Sequence, residues 1–274
     1  MKQYFFYSLI LFLFFSCGKK KEDSKAEAKL SEIEQLIISE KYNAAKIALD
    51  SFHINFPEML SLRRKALVLE DTLSVKQNRR IIAYCDSSLS IYEHKLDSLR
   101  PFFRLQKDEK YQVIGNFIYK KQNQNADLGS SFWTYADQNN DFYIVKNFYG
   151  GLPKNNAISL IVSFEELYAT TDTISENSTS RYKFEAGGQT IETLTLKNEQ
   201  IEKFAAFINQ FSDKNLIVGY GNSGKYQLSE NEKHSISITY QLWKLQKEIE
   251  NLQRQKGKAM KKTIAVLSPS KQNQ

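Results

Sequence analysis

The sequence predicts an α+β fold, in which an N-terminal helical hairpin and coiled-coil-like region precedes an antiparallel β-sheet domain with one short and one long C-terminal helix. Three observations predict it. Apolar residues recur at helical spacing between residues 30 and 103, a stretch that holds two prolines. From residue 111 the pattern changes to short β-branched and aromatic runs bounded by polar turns. A helical stripe then closes the chain from about residue 229 to 260, an order typical of α+β domains.

The composition is that of a folded chain with one or two domains. Hydrophobic residues make up 41% and aromatic residues 13% of its 274 residues, which is enough to bury a core. The formal net charge is +7, but acidic residues are mixed with the basic ones along the chain. We therefore interpret the charge as solvated surface and not as a nucleic-acid interface.

The N-terminal segment has the pattern of a bacterial signal peptide. Lys2 precedes an apolar run at 4–15, which is shorter than the roughly 20 residues needed to cross a bilayer but matches a signal-peptide core. Ser16 and Cys17 follow. The segment 14–17 resembles the lipobox of bacterial lipoproteins, in which a peptidase cuts before the cysteine. The resemblance implies that Cys17 carries diacylglycerol, and two acyl chains are enough for stable anchoring.

The residues after Cys17 bear on its destination. No aspartate follows the cysteine directly, and by resemblance to lipoprotein sorting rules this implies the outer membrane. Three lysines precede Glu22 and Asp23, which leaves the cell surface and the periplasmic face both open. The Phe-, Tyr-, Asn- and Lys-rich composition resembles that of Bacteroidetes lipoproteins. The charged stretch at 17–28 predicts a flexible tether.

The helical region is predicted at 29–107. Its first part, 29–58, resembles one tetratricopeptide repeat, in which Tyr42 and Ala45 open the second helix and Pro57 closes it. One repeat predicts an isolated helix pair, since a solenoid needs at least about three. A 3-4-3-4 stripe follows at Leu89, Tyr92, Leu96, Leu99 and Phe103. This stripe can pair with the first helices or with the C-terminal helix, within one chain or between two.

Polar connections predict hairpins in the α+β domain, which we place at 108–262. A turn centred on Asn139, in the segment DQNND, pairs Tyr135 with Tyr143. The same register pairs Trp133 with Val145 and puts the intervening residues on the other face. The chain also contains the aromatic segment DFYIVKNFYG and the closing segment ISITYQLWKLQKEIENLQ. Through these segments the region 108–262 resembles the C-terminal part of uncharacterised Bacteroidetes lipoproteins, a likeness that implies no activity.

Local signals define the rest of this domain. Gly187 and Gly188 mark another hairpin. Asn198 is predicted to cap a short amphipathic helix, and Ser229 with Glu232 has the spacing of a capping box at the start of the long helix. The predicted segments are therefore a signal peptide at 1–16, the tether at 17–28, the helical region at 29–107, the α+β domain at 108–262 and a disordered tail at 263–274.

The aromatic residues Trp133, Tyr135, Tyr143 and Tyr149 are the candidate binding site. On one sheet face they can form a flat surface for a sugar or a peptide, because an exposed aromatic patch usually marks an interaction site. The alternative is that the closing helix covers them. We favour this alternative, because both faces of the hairpin are apolar, as in a sheet covered on both sides.

Other patterns give weaker signals. The segment Gly219–Lys225 matches glycine-rich phosphate-binding motifs, but no helix follows it, and a hairpin turn is favoured. His53, His94 and His234 lie far apart in sequence, and Cys85 has no neighbouring histidine. We therefore expect no catalytic residue, no metal and no cofactor.

Two surface patterns remain. Basic residues cluster near the C-terminus and are interleaved with glutamates, which favours a solvated helix face; contact with anionic lipid headgroups or a partner is the functional alternative. The basic residues are Lys244, Lys247, Arg254, Lys256, Lys258, Lys261 and Lys262. Three Asp-Ser/Thr-apolar triplets, centred on Thr72, Ser98 and Thr173, resemble the O-glycosylation signal of exported Bacteroidetes proteins.

Together these patterns favour a lipid-anchored envelope protein of the outer membrane that acts without catalysis as a partner-binding or structural module. Its expected partners are the membrane, through the N-terminal lipid, and an envelope protein, with no nucleic acid; the oligomeric state stays open. The alternative is a glycan-binding lipoprotein that uses the aromatic sheet face. An envelope hydrolase is the third possibility, for which no residue constellation is found.

Overall fold

The computed structural model describes the backbone of residues 16–123, 132–149, 157–220 and 224–268, and the side chains from residue 22 onward within those ranges. The chain divides into two compact units, Met1–Ser88 with Leu252–Gln274, and Leu89–Asn251. Helices come first, antiparallel sheets follow and a long helix closes the chain, so the predicted α+β class is confirmed. The α-helices are α1 (Ser16–Ile38), α2 (Tyr42–Asn55), α3 (Leu60–Leu99), α4 (Glu202–Gln210) and α5 (Glu230–Leu267).

The first unit is helical. It contains α1, α2, the first part of α3 and the last part of α5. As predicted, α2 begins at Tyr42 and ends just before Pro57, where the proline ring prevents further helix. The buried residues of α1, α2 and α3 form one cluster, to which Ile33, Leu49 and Ala66 belong. The predicted helix pair at 29–58 is thus present.

The prediction of a flexible tether at 17–28 is wrong, because the helix α1 begins at Ser16. Ala26 is fully buried and packs in the same cluster as Leu30 and Ile33. The apolar stripe of α1 therefore starts earlier than the charged composition suggests, and packing of that stripe orders the segment. Residues 1–15, which hold most of the predicted signal peptide, lie outside the described residues.

The second unit is built on antiparallel sheets. A six-stranded sheet has the order β1-β2-β3-β4-β10-β9, a four-stranded sheet has the order β12-β11-β6-β7, and β5 pairs with β8. The strands are β1 (Phe103–Gln106), β2 (Asn116–Tyr119), β3 (Phe132–Asp137), β4 (Phe142–Tyr149), β5 (Ala157–Ile158), β6 (Leu160–Phe164), β7 (Leu167–Thr170), β8 (Ile174–Ser175), β9 (Arg181–Ala186), β10 (Gln189–Lys197), β11 (Ile217–Tyr220) and β12 (Lys225–Gln227).

One face of the six-stranded sheet carries the main core. Phe132, Ile144 and Leu196 project from that face into a cluster that also contains Phe204 of α4 and Trp243 of α5. The four-stranded sheet contributes to the same cluster. The helix α4, the second sheet and the first part of α5 therefore all bury their apolar surface against one side of the large sheet.

The helical region ends earlier than the predicted boundary at residue 107. The helix α3 stops at Leu99, a 3₁₀ turn that contains Pro101 follows, and β1 begins at Phe103. Phe103 is therefore not part of a helical stripe, although it stays buried. Leu96 and Phe103 pack with Ile238 and Leu242 of α5. The two apolar stripes thus pair within the chain.

The local signals of the second unit are mostly confirmed. The hairpin between β9 and β10 turns at Gly187 and Gly188, both with positive φ, a conformation that glycine adopts without strain. The capping box at the start of α5 is present, since the Ser229 amide donates to Glu232 at 2.8 Å. The helix α5 continues to Leu267, beyond the start of the tail predicted at 263–274; residues 269–274 lie outside the described residues.

Asn198 does not cap α4, so this prediction is wrong. Asn198 has a positive φ of 51° and starts a short 3₁₀ turn. Its side-chain oxygen accepts a hydrogen bond from the Phe142 amide at 2.9 Å, and its amide group donates to Asp141. The side chain therefore fastens the start of β4 to the turn before α4, because its hydrogen-bonding groups face the strand.

Candidate functional site

Alternation along β3 and β4 places the candidate aromatic residues on one face of the six-stranded sheet. Trp133 lies opposite Val145 and Tyr135 lies opposite Tyr143, so the predicted register is confirmed. The intervening residues, including Phe132, project from the other face into the main core.

The closing helix α5 packs on that other face. The Trp243 ring stacks on Phe142 at 5.6 Å, and its indole N–H donates to the Asn140 carbonyl at 3.0 Å. The favoured expectation that α5 covers Trp133 and Tyr135 is therefore wrong. Side chains along a strand alternate between two faces, and α5 lies on the face opposite these aromatic residues.

On the face that α5 leaves uncovered, the segment 107–112 borders a groove of about 910 Å³. Trp133 and Tyr135 are half-buried in it. Amide side chains and one threonine flank these rings, and the bordering segment adds charged groups. The lining residues are Gln106, Lys107, Asp108, Glu109, Gln112, Asn116, Ile118, Trp133, Tyr135, Val145, Asn147 and Thr193.

Backbone and side-chain hydrogen bonds hold the segment beside the groove. Asp108 accepts from the Lys110 amide at 2.9 Å, and Gln112 accepts from the Asp108 amide at 3.0 Å. Three residues after this segment, the Gly115 amide donates to the Gln138 side-chain oxygen at 2.8 Å. A Cβ at Gly115 would lie 2.8 Å from a methyl carbon of the exposed Leu105, so a larger residue here would require that side chain to move.

Trp133 has an unused donor. Its indole Nε1 is buried and has no hydrogen-bond partner among the described residues. A buried N–H without a partner is costly, and tryptophan N–H groups are usually paired when they leave water.

The other predicted aromatic residues extend the same face. Tyr143 stacks on Tyr135 with the ring centroids 4.6 Å apart. Burial, followed by the negative charge of Asp137, raises the pKa of both phenols. Both hydroxyls therefore stay protonated at neutral pH and can donate hydrogen bonds. Tyr149 is exposed at the end of β4.

Sequence reasoning missed two aromatic residues of this face. Tyr182 and Phe184 on β9 are exposed and stack at 5.7 Å. The register connects them to the groove, because Thr193 pairs with both Tyr182 and Asn147. The alternating segment RYKFEA, next to the glycine turn, indicated a strand that contains both residues. It could not indicate where in the sheet this strand lies, so their closeness to Trp133 and Tyr135 was not predicted.

On the core face of the sheet, the charged side chains of Lys146 and Glu232 are both buried. The Lys146 Nζ lies 3.9 Å from the Tyr226 ring centroid and 4.6 Å from that of Phe132. Burial lowers the pKa of Lys146 to about 8, although the carboxylate of Glu232 opposes this change. The sequence contained no signal for this cluster, because its members come from separate strands and a helix.

The remaining motifs are placed as follows. The segment Gly219–Lys225 joins β11 to β12 as an antiparallel hairpin, with residues 221–223 outside the described residues. His53 contacts Glu70 at 3.0 Å, His234 packs on Tyr119, and His94 is exposed.

Within the described ranges, no group of three or more His, Cys, Asp or Glu side chains is arranged to hold a metal ion. Cys85 is fully buried in the first unit as a free thiol.

The predicted glycosylation residues are exposed. Thr72 and Ser98 lie in α3, where their hydroxyls donate to the Val68 and Lys95 carbonyls. Thr173 directly precedes β8. Exposure makes all three accessible, and their modification stays a prediction.

The lipidation site lies at the start of the described chain. Cys17 belongs to α1, but its side chain and the preceding lipobox residues are outside what the structure describes. None of the described helices combines the length and apolar character needed to span a membrane. No protein-family model, no curated protein and no solved structure matches the chain.

Proposed function

We propose that the protein is a lipid-anchored protein of the bacterial outer membrane that binds a carbohydrate in the groove on the large sheet, without catalysis. The observation that carries this proposal is the position of Trp133 and Tyr135. Their rings face the groove, and α5 packs on the other side of the sheet. Of the two functions that the sequence left open, this arrangement favours the glycan-binding one.

The chemistry of the groove supports a sugar ligand. Aromatic rings supply flat apolar surface for the C–H face of a sugar ring, while amides and hydroxyls orient its hydroxyl groups. Trp133 and Tyr135 supply the aromatic surface, and Asn116 and Asn147 supply the amide groups. The volume of about 910 Å³ lies in the range of ligand-binding clefts.

Replacing Trp133 with alanine should weaken glycan binding about 10-fold or more, equivalent to about 1.4 kcal/mol, because the aromatic surface that lines the groove is lost. The measurement is titration calorimetry of the purified protein against the best ligand from a panel of envelope and dietary polysaccharides. Tyr168→Ala is the matched control, since Tyr168 is an exposed aromatic residue outside the groove. Equal affinity of Trp133→Ala and the unaltered protein would contradict the proposal.

Replacing Cys17 with alanine should release the protein from the membrane fraction or leave it unprocessed, because the acyl chains would have no attachment point. Membrane fractionation and intact-mass measurement report the result. Cys85→Ala is the control, since this buried thiol has no role in anchoring. The lipid-anchor proposal fails if the Cys17 variant stays anchored and processed.

A further inference from the structure

The first unit contains a second groove, with a volume of about 1030 Å³. It lies where the start of α2, the middle of α3 and the last part of α5 come together. The lining residues include four cations, Lys41, Arg80, Lys258 and Lys262, and one acid, Glu40. The groove is therefore strongly positive, and like charges held close together are unfavourable unless an anion joins them.

The four cations of this groove have no acidic partner among the described residues. Other members of the C-terminal basic run do have acidic partners, since Lys244 pairs with Glu202 and Lys256 pairs with Asp86. Within the described residues, none of the four cations of the groove forms an ion pair with an acidic side chain. Within the basic run, Lys244 and Lys256 thus have acidic partners, whereas Lys258 and Lys262 line the groove.

Lys258 and Lys262 place two positive charges on one side of the groove. They are four residues apart on α5, so they lie on the same helix face. The buried Ala259 beside them is small and lets α5 approach the other helices of the unit. Two like charges at this spacing slightly destabilise a helix, so their position is better explained by an external anion than by helix stability.

The floor of the groove is not purely ionic. Tyr84 and Ile81 of α3 line it and are 63% and 42% exposed. Asn78 lies buried at the base, and Gln77 stands beside it. Apolar side chains and amides between cations suit an extended peptide, whose backbone can bond to the amides and whose side chains alternate between acidic and apolar.

We propose that this groove binds an acidic peptide segment of a partner protein. The cations come from the residue before α2 and from the helices α3 and α5, and they surround apolar and amide groups. This arrangement fits carboxylates spaced along a chain better than one compact phosphate. Most of them are lysines, which act as point charges and do not require the two-point geometry of arginine–phosphate pairs. The start of α2 adds backbone N–H groups without a side-chain cap, which further favours negative charge.

The test uses the full-length protein in detergent and a fluorescent peptide of alternating glutamate and leucine, measured by anisotropy. The double variant Lys258→Gln/Lys262→Gln should bind this peptide at least about 10-fold more weakly, and binding should weaken as salt increases. Lys203→Gln/Lys225→Gln is the control, since it removes the same charge from exposed positions of the second unit. It should bind like the unaltered protein.

A gain of affinity gives an independent check. Glu40→Gln removes the one acid of the groove and should tighten binding of the acidic peptide several-fold. Three results would overturn the proposal: no binding of the peptide, equal binding of the same peptide with glutamine in place of glutamate, or stronger Lys258- and Lys262-dependent binding to phosphatidylglycerol vesicles than to the peptide. The last result would assign the groove to a lipid surface.

Discussion

Glu232→Ala is expected to lower the free energy of unfolding by about 3–5 kcal/mol, because the variant removes a buried carboxylate that several donors share. The Glu232 carboxylate is buried and accepts from the Phe132 amide at 2.7 Å, from the Tyr226 hydroxyl at 2.8 Å and from the Ser229 amide at 2.8 Å. Alanine would leave these donors without an acceptor and Lys146 without its nearby negative charge.

Urea unfolding followed by circular dichroism at neutral pH measures this loss. Glu250→Ala is the matched control, because Glu250 is an exposed glutamate of the same helix. It should change stability by less than about 0.5 kcal/mol. A cost below about 1 kcal/mol for Glu232→Ala would contradict the prediction, because it would mean that these hydrogen bonds contribute little to stability.

Lys146→Met is expected to stabilise the protein at neutral pH by about 1–3 kcal/mol. The Lys146 Nζ is buried and has no hydrogen-bond partner among the described residues. Burial lowers its pKa from 10.5 to about 8, so the folded state holds the proton less tightly than the unfolded chain does. The rings of Tyr226 and Phe132 offset part of this cost by cation–π attraction.

The sign of the pH dependence follows from linkage. Between about pH 8 and pH 10.5 the unfolded chain binds more protons at this site than the folded protein does, so stability increases with pH across this window. Below about pH 8 both states are protonated and the full cost is present. The stability advantage of Lys146→Met should therefore be largest near pH 7 and shrink as the pH approaches 10.

Chemical unfolding of both proteins at several pH values tests this dependence. For Lys203→Met, at an exposed position of α4, the difference in stability from the unaltered protein should not change with pH. If Lys146→Met is less stable than the unaltered protein near pH 7, the aromatic rings and Glu232 outweigh the cost of burial, and the prediction is wrong.

Local chemistry explains what could be predicted from the sequence. The β3–β4 register depends on a short polar turn and on the alternation beside it, and the structure has the predicted pairing of Tyr135 with Tyr143. The capping box of Ser229 and Glu232 is also local, because its hydrogen bonds join residues three positions apart. Such features need no knowledge of the rest of the fold.

The predicted boundaries of the helical region were wrong where tertiary packing overrides the local sequence pattern. The spacing of Phe103 continues a helical stripe, yet Pro101 precedes it and β2 pairs with its backbone, so the chain becomes strand there. The charged segment before Leu30 shows the opposite error, since its composition predicts a flexible tether. In the structure it is helical, and burial of Ala26 stabilises the helix. In both segments contacts with distant residues decide the backbone conformation.

The sequence by itself determined the α+β class and the β3–β4 register, because both depend on patterns of neighbouring residues. The lipid attachment at Cys17 stays a prediction. Only the tertiary structure decided which face of the sheet α5 covers, and hence that Trp133 and Tyr135 line a groove. It alone brought Lys41, Arg80 and Lys258 to another groove. The physical reason is that side-chain periodicity assigns residues to a common face, whereas packing of elements distant in sequence determines which face is left open.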